Sequence, residues 1–501
     1  MKFFRKYHKW AGLLLAFFLI MFSISGIILN HRKTVSKIDL SRKLLPKNFH
    51  YNNWNNASVK GTLKISPDSI LLYGGSGIWL TDSLRSNFSS FTNGIDKGAD
   101  NQITNRIIRT NNNNTYAITT FNLYSLSANN NWEKITKRAK INERISDITY
   151  HNDTLAIITR SHLHYSVAPF SDFHKTELLK PTDYEAKTSL FRTFWLLHSG
   201  KLFGIGGQLF VDLLGVLLII ISVTGILYSF LPRVVKRRKK QELSAHSAIK
   251  TMKSSIKWHN KIGVFFILFF LLITLSGMFL RPPLLIAIIK NKINNPKCTI
   301  LNSSNPWQDK LRIIRYDTQQ QHWLLYTSDG FYSLSNFEAT PEKVIITPPV
   351  SVMGITVLEP TSNGWLVGSF SGLFTWNRQY DFIFNLYTKQ PVIGTTRGRP
   401  VSSTPISGYS NDFEKQVIFE YNKGATGINS QNSFSPMPEE IGKGRISLYH
   451  AALEIHTGRA YAYPLGLSGD TYTFFSGLFI LILLISGYIV YRKKYKRKKR
   501  A

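Results

Sequence analysis

The sequence predicts an α-helical membrane protein: a four-helix transmembrane bundle bearing a large extracytoplasmic all-β, propeller-like domain built from two loops. Three observations predict it. The chain of 501 residues holds four long apolar runs, its first and third runs are copies of one another, and its two long polar stretches are filled with short strand signals.

The apolar runs are Trp10 to Leu29, Leu209 to Phe230, Ile262 to Leu280 and Tyr472 to Val490. Each approaches the roughly 20 residues needed to cross a bilayer. Basic residues precede the first run as they would in a signal peptide. The run is too long for an ordinary signal core, however, and no small-x-small cleavage site follows it, so it is expected to stay in the mature protein. The expected division of the chain is residues 1–30 (first transmembrane helix), 31–187 (first half of the β region) and 188–232 (an amphipathic segment and the second helix). A basic cytoplasmic loop follows at 233–257, then the third helix at 258–284, the second half of the β region at 285–446, an amphipathic segment and fourth helix at 447–491, and a basic tail at 492–501.

The duplication runs at a constant offset. Lys6-Tyr7-His8 matches Lys257-Trp258-His259, Gly12 matches Gly263, and Ser25-Gly26 matches Ser276-Gly277. A second pair, Ser189-Leu190 through His198-Ser199-Gly200 and Ser447-Leu448 through His456-Thr457-Gly458, leads into the second and fourth runs.

The net charge of +33 would suggest nucleic acid if it were spread over a soluble domain. Its placement argues otherwise. Lys2, Arg5, Lys6 and Lys9 precede the first run, Arg233 to Lys240 follow the second, and Arg492 to Arg500 close the chain. In a four-span topology all three segments fall on one side, which the positive-inside rule makes the cytoplasm. Both termini are therefore expected inside, with the loops Asn30 to Gln208 and Arg281 to Thr471 in the periplasm. The charge then serves topology and attraction to anionic lipid; the expected partner is the lipid bilayer, with no nucleic acid. Richness in Asn, Lys and Ile suits a bacterial source with an AT-rich genome, and the location expected is the bacterial inner membrane. Cys298 is the only cysteine, which excludes an intramolecular disulfide framework and thiolate-held iron–sulfur clusters.

In the loops, short apolar runs alternate with glycine turns, as in Ile70 to Tyr73 then Gly77 to Leu80, and Leu155 to Thr159 then Leu163 to Ser166. Trp323 to Tyr326 precedes Gly330 to Leu334, and Trp365 to Gly368 precedes Gly372 to Trp376. A hairpin recurring every 40 or so residues resembles propeller blades. We expect one β domain with blades from both loops; two separate β domains is the other reading. His151, His162, His164 and His174 cluster in sequence but lack carboxylate or cysteine partners in a recognisable motif, so they read as exposed strand and loop histidines and not as ligands.

The membrane histidines carry the functional signal. His8 and His259 start matched helices and should lie at equal depth, each with a glycine at i+4, Gly12 and Gly263, where a missing side chain lets a flat macrocycle or another helix approach. Bis-histidine ligation of haem b needs two imidazoles on facing helices at one level. The competing reading is a pair of interfacial histidines beside headgroups. On the other face the candidates are His198, His456 and His31. The first two share the pattern His-Ser/Thr-Gly-Lys/Arg; Gly200, Gly204, Gly206 and Gly207 follow His198 and would let backbone approach a bulky ligand. His31 ends the first run about 34 Å from His8 at the helical rise, its repeat counterpart is Pro282, and the choice among the three stays open. Asp212 is the only carboxylate inside a run, a candidate proton carrier or imidazole partner.

His-x-x-x-Gly at the start of the first run, Ser-Gly at its end, the His-Ser/Thr-Gly-Lys/Arg approach to the second and fourth runs, and the Arg281-Pro282-Pro283-Leu284 exit from the third resemble the PepSY-associated transmembrane family of bacterial iron-regulated inner-membrane proteins. The resemblance covers the four runs and their flanks, about a third of the chain. It implies a di-haem protein with haem iron held through His8, His259, His198 and His456, and an oxidoreductase of the ferric-siderophore reductase type. It assigns no further catalytic residue. No PepSY module is recognised in the loops. No Gly-x-Gly-x-x-Gly unit for a nicotinamide or flavin is present. Electrons would come from a membrane quinol or a redox protein and leave for a ferric chelate or siderophore-uptake component. The rival class is a non-redox sensor or accessory protein of iron uptake that the helices only anchor; a transporter is disfavoured because the runs hold almost no polar residues to line a path.

Overall fold

The computed structural model describes residues 2–392, 402–427, 434–462, 466 and 469–498. The chain forms two compact units. One comprises Met1–Val35, Ala186–Asn302 and Leu448–Ala501, the other Ser36–Glu185 and Ser303–Ser447.

The first unit is helical. Lys2–Asn30, Gly204–Lys240 and Gly469–Lys498 contain stretches long and apolar enough to cross a membrane. A fourth candidate is a bent pair, His246–Phe265 and Ile267–Met278, which turn through 66° at Phe266. The expected third run is thus broken where a straight helix was read. The helix Gly204–Lys240 also runs past the apolar stretch through Pro232 into the basic segment.

These helices are apolar all round, so composition leaves little to choose which face turns inward. Two clusters decide it. Leu15, Ile480 and Leu483 bury together between the first and last helices, and Leu214, Ile262 and Phe270 do so between Gly204–Lys240 and the bent pair. Leu14, Phe17, Leu209 and Leu268 stay more than half exposed. Such a surface suits acyl chains and makes this a membrane protein.

Two short helices bring further histidines to the helical unit. Leu190–His198 is capped by the Ser189 hydroxyl, which accepts from Arg192 N at 3.3 Å, and Leu448–His456 is its repeat. Each ends at a glycine in the left-handed region, Gly200 (φ 75°) and Gly458 (φ 74°). A side chain is excluded there by space as well. A Cβ on Gly200 would lie 2.2 Å from the Gly207 carbonyl oxygen, and one on Gly458 2.1 Å from the Tyr472 ring. Gly200 and Gly207 therefore serve a backbone-to-backbone joint in the chain itself, not the approach of a ligand as the sequence suggested; only Gly204 and Gly206 face open space.

Among the described residues the second unit holds six antiparallel sheets of three to five strands in chain order, besides the two-stranded pairing of Asp39–Leu40 with Ile446–Ser447. Their first strands are Gly61–Ser66, Thr104–Arg109, Ile145–His151, Leu311–Asp317, Ile355–Thr361 and Ile406–Ser410. In five of the six, a bulge follows the first residue of that strand, which marks them as copies of one unit. All the strand pairs read from sequence are present, and the turn glycines Gly330 (φ 122°) and Gly372 (φ 132°) hold conformations that other residues rarely adopt.

Each sheet meets the next. Lys60 reaches Asn105, Arg315 on the fourth sheet bonds Asp147 on the third and the Leu358 carbonyl on the fifth, and Thr356 bonds the Ile406 carbonyl on the sixth. The sixth returns to the first: Tyr409 N donates to Lys60 O at 3.2 Å and the Thr62 hydroxyl to Asp412 at 2.5 Å. Across them, Arg106 holds Glu359 through two bonds of 2.6 and 3.2 Å.

The second β region starts later than expected, at Ser303. The segment before it belongs to the helices, because Lys292–Asn294 pairs with Lys187–Ser189. The loop histidines also differ from their exposed reading. His164 is buried, His151 stacks on Tyr316 at 3.5 Å, and His162 lies between Glu143 (2.6 Å) and Glu177 (3.5 Å), carboxylates that sequence proximity could not supply.

Candidate functional site

The helical unit brings four of the candidate histidines into two pairs. His8 and His259 have ring centres 6.1 Å apart, and His198 and His456 have theirs 6.0 Å apart. The first pair joins the start of Lys2–Asn30 to the C-terminal half of His246–Phe265; the second joins the ends of the two short helices.

Each ring is held in the same way. His8 Nδ1 donates to Leu483 O at 3.2 Å, with the Ser486 hydroxyl also at 3.2 Å. His259 Nδ1 donates to Ile221 O at 3.0 Å beside Thr224, and His198 Nδ1 to Ile273 O at 2.9 Å beside Ser276. His456 Nδ1 donates to Phe22 O at 3.1 Å, with Ser25 at 3.0 Å. A carbonyl can only accept, so every Nδ1 carries the proton. The hydroxyl protons point back into their own helices, as Ser25 to Met21 O and Ser486 to Leu483 O. The neutral tautomer that results leaves the Nε2 lone pair of each ring for another partner.

A glycine follows each hydroxyl, and the ring lies over it. A Cβ on Gly277 or Gly487 would come within 2.7 Å of the His198 or His8 Cε1; on Gly225 and Gly26 the distances to His259 and His456 are 3.2 and 3.3 Å. The cradle is thus apolar-x-x-Ser/Thr-Gly, written four times: Phe22 to Gly26, Ile221 to Gly225, Ile273 to Gly277 and Leu483 to Gly487. Sequence reasoning found the first and third through the duplication and missed the second and fourth. The recurrence of a hydroxyl-glycine pair in every apolar run is the signal that would have found them.

Gly12 and Gly263 behave differently. A Cβ on Gly263 would meet nothing within 4 Å, and one on Gly12 only Leu483 at 3.6 Å. Space is open at Gly263, whereas the Gly12 position is already in ordinary contact with Leu483.

His31 is not brought to either pair. Its Nε2 bonds Asp212 Oδ2 at 2.7 Å, while Asn30 donates to Asp212 Oδ1 at 2.8 Å and to Ser199 O at 3.2 Å. Asp212 is an imidazole partner, of His31 and not of the paired rings. Arg281, from the Arg-Pro-Pro-Leu exit, bonds Asp470 at 3.4 Å, and Arg459 bonds Glu454 at 2.8 Å. Among the described residues no group of three or more His, Cys, Asp or Glu could hold a metal. Two imidazoles per site is what the chain offers, enough to take one metal atom between them if other donors complete its shell.

Residues 1–233 match the PepSY-associated TM region, the family that the histidine and glycine motifs had suggested. No curated protein matches the chain. Among solved structures, a protein of unknown function from Bacteroides thetaiotaomicron is 9% identical over 78% of this chain and 74% of that one, with a TM-score of 0.36. The extracellular domain of a one component system from B. thetaiotaomicron is 7% identical over 80% of this chain and 44% of that one (TM-score 0.35). An ancestral GH74 enzyme is 8% identical over 74% of this chain and 36% of that one (TM-score 0.32).

Proposed function

From a chain whose first 233 residues match the PepSY-associated TM region, we propose a haem-containing inner-membrane protein that passes electrons outward to an extracytoplasmic acceptor. The observation that carries this reading is the pairing of imidazoles. A metal held at about 2 Å by a nitrogen of each ring would set the ring centres roughly 6 Å apart, and both pairs are spaced at 6.0–6.1 Å. Two protein donors are too few for a bare metal ion, so the remaining donors must come with the metal, as they do in a porphyrin.

His8 and His259 would hold the cytoplasmic-side haem, and His198 and His456 the outer one. When bound, haem b supplies reversible one-electron redox chemistry. The chain contributes the rest. Carbonyls at Leu483, Ile221, Ile273 and Phe22 fix the tautomer and strengthen the donors, and the helices exclude water. The basic segments orient both termini inward, which puts the second pair on the periplasmic side. There we place the acceptor, a ferric siderophore or other ferric chelate; the donor would be a membrane quinol or a redox protein. We read the ring of six sheets as a six-bladed propeller, with Arg106 and Glu359 joining the opposed second and fifth blades across its axis.

The test is spectroscopic. Protein purified after expression with adequate haem should carry two b-type haems, counted as pyridine haemochrome. His259→Ala should lose the inner one and spare the outer, and His198→Ala the reverse. Haem near zero in the wild type would make the paired rings interfacial and favour the anchored-sensor reading.

A further inference from the structure

Among the ionisable groups of the helical unit, His31 and Asp212 form a dyad beside the outer histidine pair without belonging to it. His31 and Asp212 lie 181 positions apart and meet at 2.7 Å, with side chains 35% and 13% exposed. Asp212 is the only acid in the helix Gly204–Lys240. Its two oxygens are both engaged, one by His31 and one by Asn30, and Gln208 donates to the Asn30 carbonyl at 2.9 Å. Such a carboxylate orients an imidazole, which is how a histidine is positioned for proton transfer. The same Asn30 amide also bonds Ser199 O. The dyad is therefore tied to the residue that follows His198, at the outer pair. It has no counterpart at the inner pair: Pro282 stands where the duplication would repeat His31.

We propose that His31, seated on Asp212, gives a proton to the acceptor as that acceptor takes its electron near the outer histidine pair. The proposal rests on the electron-transfer reading above. For a ferric chelate with anionic oxygen donors the step balances as follows. One electron, supplied through a haem that His198 and His456 would hold, would reduce iron(III) to iron(II), the weakened iron–oxygen bond would break, and the oxygen that leaves iron would take the proton from the His31 imidazolium. Solvent would then restore the proton to His31 through its exposed edge. The charged groups near His31 are Asp212, bonded to it, and Arg32 and Lys33, which follow it in the chain; Arg32 lies over the Tyr449 ring at 4.3 Å.

The experiment compares wild-type, His31→Gln and Asp212→Asn proteins, each haem-loaded and reduced, mixed with a ferric tris-hydroxamate chelate or with ferricyanide. Ferricyanide accepts an electron without a proton. We expect His31→Gln to slow reduction of the hydroxamate chelate by about a hundredfold, the low end of what a positioned proton donor contributes. The fall of that rate with rising pH should vanish in the variant, while the ferricyanide rate stays unchanged. Asp212→Asn should give a smaller loss in the same direction. A second readout is independent of turnover: affinity for the redox-inert gallium(III) tris-hydroxamate should be equal in wild type and His31→Gln. Equal slowing with both oxidants, loss of haem in both variants, or loss of gallium-chelate binding would each overturn the proposal. So would an unchanged chelate rate in haem-loaded variants. Wild-type protein without haem would instead overturn the reading on which the proposal rests.

Discussion

The glycines of the four cradles give a graded test of the histidine geometry. In Gly277→Ala the new Cβ would lie 2.7 Å from His198 Cε1 and 3.1 Å from its Nδ1. Carbon atoms rest at roughly 3.5–4.0 Å, so the ring must move by about 1 Å. A shift of that size breaks the 2.9 Å bond from Nδ1 to Ile273 O. Loss of such a supporting bond typically weakens metal binding about 10- to 100-fold, or roughly 1.4–2.8 kcal/mol. Gly263→Ala is the control, because its Cβ meets nothing within 4 Å; it retains only the gain in helix propensity, up to about 1 kcal/mol. The two substitutions are chemically identical, and they should differ in sign. The assay is titration of apoprotein with haem, followed at the Soret band and at the reduced α-band. Gly487→Ala should behave like Gly277→Ala at the inner site, with Gly225→Ala and Gly26→Ala intermediate. Equal haem affinity in Gly277→Ala and Gly263→Ala would refute the cradle.

Three further outcomes are expected. Reporter fusions after Lys240 and at the C-terminus should read cytoplasmic, and fusions near Gly94 and Gly364 extracytoplasmic; a cytoplasmic signal at Gly364 would break the pairing by depth. Burial, aided by the nearby Lys175 charge, lowers the His164 pKa to about 4 from 6.5. The folded β unit therefore binds this proton less readily than the unfolded chain, so its stability is full above pH 6.5 and falls as pH drops toward 4, by about 3 kcal/mol. Trp fluorescence melts of the full chain should show that slope, and His164→Gln should remove it. Arg106→Met should destabilise the β unit by about 2 kcal/mol, below the roughly 3–5 of a fully buried pair, since the side chains are 17% and 28% exposed. Adding Glu359→Leu should restore most of the lost melting temperature; an additive further loss would mean that the pair does not act as a unit.

The hairpins of the β unit were legible because each is local: a strand, a glycine with positive φ and a returning strand lie within about a dozen residues. The meeting of His8 with His259 was legible because a constant offset implies equal depth. What could not be read depends on packing between distant segments. Nothing in the sequence around Phe266 announces a bend, since no proline interrupts an apolar stretch that would read the same in a straight helix. His31 and Asp212 are brought together only by the docking of Lys2–Asn30 against Gly204–Lys240, where a Cβ on Gly215 would come within 3.3 Å of Ile27. The His164 environment was misread for the same reason. Its burial comes from neighbouring strands, whereas its flanks suggested a solvent-facing position.

The cradles also carry a consequence for how such a molecule can be divided. His8 and His198 lie in the first half of the chain, and both are held by carbonyls of the second, Leu483 and Ile273. His259 and His456 lie in the second half and are held by Ile221 and Phe22 of the first. Every ring is gripped across the duplication, and every pair takes one ring from each copy. A single two-helix unit would have neither an aligned imidazole nor a pair, and could complete both only against a second copy of itself around a twofold axis. Joining the copies in one polypeptide makes that encounter intramolecular and releases them from identity. His31 opposite Pro282 is one place where the two sides have already parted.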